Sequence, residues 1–123
     1  MLHLKHLRFL AQIAFFSALF FAFYEAVIPP YRTMPLFPWD KAEHFAAFYV
    51  LTWLAAAAFP RRSLVVIAVA LGGFGVLIEI VQAIPALNRD SDYKDFIADF
   101  LGILVTLTPM LLVRWRKFLQ ESI

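Results

Sequence analysis

The chain has no cysteine. That excludes disulfides and every thiolate chemistry, nucleophilic or metal-binding, and leaves the redox compartment without a marker. Charge is scarce: 16% of the 123 residues are Asp, Glu, Lys or Arg, where a soluble domain carries roughly a quarter. The net charge of +2 is too small for the electrostatic footprint of a nucleic-acid-binding protein. Glycine is limited to four residues, and none of them builds a phosphate-cradling loop. No serine nucleophile motif and no paired-histidine zinc motif is present. Repeats, low-complexity runs and long linkers are missing as well.

What the chain has instead is apolar length. Hydrophobic residues make up 63% of it, gathered in four blocks at about 7–28, 42–59, 63–84 and 96–113. Each block holds 18 to 22 residues; at about 1.5 Å rise per residue this spans roughly 27–33 Å, close to the hydrocarbon core of a bilayer. Proline punctuates the blocks, because it lacks the N–H that a helix needs. Pro29-Pro30 ends the first, Pro60-Arg61-Arg62 the second and Pro85 the third, while Arg114, Arg116 and Lys117 close the fourth. Asp40, after the four prolines of 29–39, suits a helix N-cap. The expectation is one all-α domain over 1–123, a polytopic membrane protein built as a bundle of four transmembrane helices. Four buried helices of a soluble protein would leave only about 40 residues to supply the polar surface. A cleaved signal peptide would explain Lys5 and Arg8 ahead of an apolar run. The first block is longer than such a core, however, and Glu25-Ala26-Val27-Ile28-Pro29-Pro30 is a poor cleavage site.

Basic residues orient the bundle. Lys5, Arg8, Arg61, Arg62, Arg114, Arg116 and Lys117 fall at one end, seven against Arg32, Lys41, Arg89 and Lys94 at the other. Both termini are therefore expected in the cytoplasm. The acids separate the other way. Glu25, Asp40, Glu43, Glu79, Asp90, Asp92, Asp95 and Asp99 lie in or near the two outer loops, and only Glu121 lies inside.

Depth and spacing select among these. Glu79 sits five residues before the end of its block and Asp99 three residues into its own. A carboxylate in hydrocarbon costs roughly 2.5–3.5 kcal/mol, so it turns to a bundle interior and finds a partner. Gly72, Gly75, Glu79 and Gln82 share one helical stripe, and Asp95, Asp99, Gly102 and Thr106 share another; small residues in each allow close helix approach. Asp40, Lys41 and His44 share the start of the second helix. The candidate binding cluster is thus Asp40, Lys41, His44, Glu79, Gln82, Arg89, Asp95 and Asp99, with His44 or Lys41 expected within reach of Glu79 or Asp95 and Arg89 folded over them. Plainer uses compete: Asp40 as a cap, Lys41 snorkelling, His44 as a satisfied polar contact, Arg89 bonding loop carbonyls, Glu79, Gln82 and Asp99 as an interhelical network, and the nearby Asp90 and Asp92 simply solvated.

The strings Asp40-Lys41-Ala42-Glu43-His44-Phe45 and Glu79-Ile80-Val81-Gln82, then Arg89, Asp95 and Gly102 in order, resemble the VanZ-like family, named for a component associated with teicoplanin resistance. The likeness runs from Trp39 to Gly102, about half the chain. It differs at Asp99, where the family usually has Asn. The resemblance implies a multi-pass protein of a bacterial-type cytoplasmic membrane, linked to glycopeptide resistance or envelope homeostasis.

Three functions fit these residues. In the first, an outward-facing cluster binds a lipid head group or a lipid-linked envelope precursor, with Lys41 and Arg89 on phosphate. In the second, the protein is a membrane-embedded enzyme, with His44 beside Asp95 or Glu79 as general base or as part of a divalent-cation site. In the third, the cluster fixes packing and the chain docks to another membrane protein or to its own copies. No organic cofactor and no nucleic-acid partner is expected.

Overall fold

A computed structural model of the protein describes residues 4–28, 40–87 and 93–122. Within them the chain forms four α-helices and one short 3-10 turn. Helix α1 spans Leu4–Val27, α2 Asp40–Ala58, α3 Leu64–Gln82 and α4 Tyr93–Ser122, with the turn at Pro85–Leu87. The punctuation works locally. Pro60 follows α2, and the chain turns through Arg62, whose N–H donates to the Phe59 carbonyl at 3.1 Å. Ser63 then caps α3, its hydroxyl accepting from the Val66 N–H at 3.1 Å. At the far end of α3 the Ala83 N–H still reaches the Glu79 carbonyl at 3.1 Å, and Pro85 stops the helix there.

Helix α4 departs from the apolar pattern. The fourth block ends at about residue 113, yet α4 runs on through Arg114, Arg116 and Lys117 to Ser122. Basic residues end an apolar run, but they are good helix formers and do not end a helix. Pro109 lies within α4 and removes one helical donor. One residue before it, the Thr108 hydroxyl donates to the carbonyl of Leu104, one turn back on its own helix, at 2.7 Å.

Helix α2 packs against all three others, most extensively against α4. The α2–α4 pair is parallel, since its contacts advance in step: Lys41 meets Asp95, His44 meets Asp99, and the Thr106 hydroxyl approaches the Tyr49 carbonyl at 3.4 Å. Gly102 allows this approach, because a Cβ there would lie 2.6 Å from the Phe45 carbonyl oxygen and 3.1 Å from the Tyr49 nitrogen. Phe48, Leu51 and Thr52 of α2 and Ile103 and Thr106 of α4 are all buried. Both threonines turn their hydroxyls back onto their own helices, Thr52 to the Phe48 carbonyl at 2.6 Å and Thr106 to that of Gly102 at 2.9 Å. No polar hydrogen is stranded in the apolar layer by either residue.

The outside of the bundle is as apolar as its inside. Phe9, Phe20, Phe21, Val65, Val69 and Leu112 are all more than half exposed, far beyond what a soluble monomer leaves to water. Three helices are long and apolar enough to cross a membrane: α1, α3 and α4. Helix α2 is not among them. Its first two turns carry Asp40, Lys41, Glu43 and His44, and these dilute the apolar stretch behind them.

Candidate functional site

Parallel packing of α2 and α4 sets their first turns side by side, and the C-terminal half of α3 closes against them. Lys41 Nζ donates to Asp95 Oδ1 at 3.3 Å. One turn deeper, His44 Nδ1 stands 2.8 Å from Asp99 Oδ1, while its Nε2 faces Asp95 Oδ2 at 3.8 Å. The imidazole is therefore flanked by a carboxylate on each side, both supplied by α4 at the spacing of one helical turn. Asp95 and Asp99 are buried, and Asp99 has no exposed surface at all.

Glu79 enters from α3. One ligand-type atom from each of His44, Glu79 and Asp99 lies within 4.8 Å of the other two. Gly75, one turn before Glu79, makes the room: a Cβ there would stand 3.0 Å from Asp99 Oδ2. That Oδ2 is buried and has no hydrogen-bond partner among the described residues. Gly72, on the same stripe, plays no such part, since a Cβ there would meet nothing within 4 Å.

Gln82 is buried too, but its amide nitrogen is committed elsewhere, donating to the Ala26 carbonyl of α1 at 3.1 Å. Of the eight residues the sequence singles out, the structure thus brings Lys41, His44, Glu79, Asp95 and Asp99 into one layer. It ties Gln82 to the end of α1. Asp40 begins α2, and its side chain is outside the description. Arg89 lies outside the described residues.

One residue was passed over. Lys94 stands second in α4 as Lys41 stands second in α2, and the two share the head of a groove of about 550 Å³ between these helices. Its walls are Ala42, Phe45 and Ala46 from α2 and Ile97, Ala98 and Leu101 from α4. The matching positions in the two helices were a signal present in the sequence, but it becomes legible only once the helices are known to be parallel.

The chain matches no protein-family model, no curated protein and no solved structure.

Proposed function

We propose that the protein is a VanZ-like, four-span membrane protein that holds an anionic lipid, its phosphate at Lys41 and Lys94 and its chain along the groove between α2 and α4. In this reading α2 crosses the bilayer with the other three helices, its charged start lying at the level of the head groups. The groove carries the proposal: six apolar side chains along two parallel helices, headed by two lysines. Apolar walls accept an acyl or prenyl chain, and ammonium groups accept phosphate as point charges. Lys41 is held in place by Asp95, so the site is organised before a ligand arrives. Both glycerophospholipids and lipid-linked envelope precursors present this chemistry.

The experiment is lipid retention by the purified protein, read by native mass spectrometry in a mild detergent. Phosphatidylglycerol and a polyprenyl phosphate are offered separately against phosphatidylcholine. We expect retention of an anionic lipid and a loss of about tenfold in apparent affinity in the Lys41→Ala/Lys94→Ala double variant, the scale of one charge-assisted contact. The arm retained more tightly identifies the source of the phosphate. Equal retention by the wild type and a folded double variant would refute the reading.

A second reading, catalysis with His44 as general base, draws on the carboxylates beside both ring nitrogens, an arrangement that orients an imidazole for proton transfer.

A further inference from the structure

We propose that His44, Glu79 and Asp99 are the protein ligands of a divalent transition-metal ion, with Asp95 as the outer carboxylate that orients the imidazole. The site borders the head of the lipid groove through the Lys41–Asp95 pair, but its three ligands lie outside the groove lining, and the inference does not rest on lipid binding.

Geometry is the first argument. The three donors come from three helices, α2, α3 and α4, and their nearest atoms lie within 4.8 Å of one another. With metal–ligand bonds of about 2.1 Å, donor atoms lie roughly 3 Å apart at right angles and roughly 4.2 Å apart when opposed. The 2.8 Å between His44 Nδ1 and Asp99 Oδ1 is already such an edge. Small side-chain rotations bring in the rest.

The second argument is the unpartnered oxygen. A fully buried carboxylate oxygen without a hydrogen-bond partner is expensive, and Asp99 Oδ2 is one among the described residues. It points at the backbone of Gly75, where the missing Cβ leaves space. A cation bound through Oδ2, alone or together with Oδ1, removes that cost directly.

The third is the surrounding shell. A metal-bound histidine commonly donates its second ring N–H to a carboxylate, which fixes the tautomer and raises the basicity of the coordinating nitrogen. Asp95 Oδ2 stands 3.8 Å from His44 Nε2, and a closing movement of roughly an ångström makes that bond. Nδ1 is then the coordinating atom. Within this layer the carboxylates of Glu79, Asp95 and Asp99 set against Lys41 leave two negative charges when the imidazole is neutral, which a divalent ion balances.

The donor set chooses the class of metal. One imidazole and two carboxylates suit Mn²⁺, Fe²⁺, Co²⁺ or Zn²⁺, whereas Mg²⁺ and Ca²⁺ sites are built from oxygen alone.

The test uses full-length protein in detergent, stripped with chelator and titrated with Mn²⁺ or Zn²⁺, bound metal being counted by mass spectrometry after dialysis. The reference is the His3→Ala/His6→Ala variant, in which His44 is the sole imidazole. We expect one equivalent of metal, and pulsed EPR of the Mn²⁺ form showing coupling to one imidazole nitrogen. Asp99→Asn, Glu79→Gln and His44→Ala each weaken binding by more than a hundredfold, and Asp95→Asn by roughly tenfold to a hundredfold. Glu121→Gln, at the far end of α4, binds as the reference does. Absence of metal uptake by the reference at millimolar ion, absence of the nitrogen coupling, or unchanged affinity in the ligand variants each overturns the proposal. The first two readings need no ligand variant, so a variant that fails to fold leaves the test intact.

Discussion

The amide of Gln82 reaches across to the carbonyl of Ala26, one residue from the end of α1, where backbone acceptors have no partner within their own helix. Gln12 does the same at the opposite end of the bundle: its Nε2 donates to the carbonyl of Ala58, the last residue of α2, at 3.1 Å. In an apolar surrounding a stranded carbonyl is costly, and a glutamine from a neighbouring helix replaces the water that would otherwise serve it. Sequence placed Gln82 with the charged cluster. Neither partner was legible, since the acceptors are backbone atoms 46 and 56 residues away. The consequence is measurable. Gln82→Leu and Gln12→Leu should each lower stability by about 1–2 kcal/mol, seen as an earlier thermal unfolding midpoint in detergent. The two losses should add in the double variant, because the bonds lie at opposite ends of the bundle. Unchanged midpoints would mean that the carbonyls find other donors.

Close approach between helices depends on two glycines rather than on a stripe of them. Gly102 brings α4 onto the backbone of α2, and Gly75 brings α3 onto Asp99. A Cβ at Gly72 or Gly73 would meet nothing within 4 Å, although the sequence presents Gly72 as an equal member of its stripe. Helical spacing identifies residues on one side of a helix, but it does not say at which of them a neighbour is closest. Gly102→Ala should therefore be destabilising by about 1–3 kcal/mol, the usual cost of forcing a methyl into a packed contact. Gly73→Ala should be neutral or raise stability by up to about 1 kcal/mol through helix propensity alone. Thermal unfolding of the two variants beside the wild type reads the contrast, and equal effects would show that α2 and α4 are not in backbone contact at residue 102. The same element-level view explains Lys94: two parallel helices that begin at one level place their second residues side by side, and a lysine in each makes a pair.

On the scale of the whole molecule, most acids of the described helices lie at one end and the apolar surface wraps round the outside. Exposed phenylalanine, valine and leucine on α1, α3 and α4 have no place in water and suit lipid. With seven basic residues at one end and four at the other, we expect the termini and the Arg61-Arg62 turn in the cytoplasm and the His44 layer near the outer face. Reporter fusions after Arg62 and after Lys117 should read cytoplasmic, and one at Asn88 extracytoplasmic. A cytoplasmic signal at Asn88 would invert the orientation, and matching signals at Arg62 and Asn88 would remove one crossing. Sequence by itself determined the helical class, the apolar lengths and the end of the bundle at which the acids collect. Those depend on local properties: proline placement, hydropathy, and the cost of charge in hydrocarbon. Only the tertiary structure decided which acids meet which bases. Asp99 meets His44 at 2.8 Å, Asp95 meets Lys41 at 3.3 Å, and the amide nitrogen of Gln82 goes to α1. Rotation of each helix about its axis selects these partners, and that rotation is set by packing at Gly102 and Gly75 against residues distant in the chain.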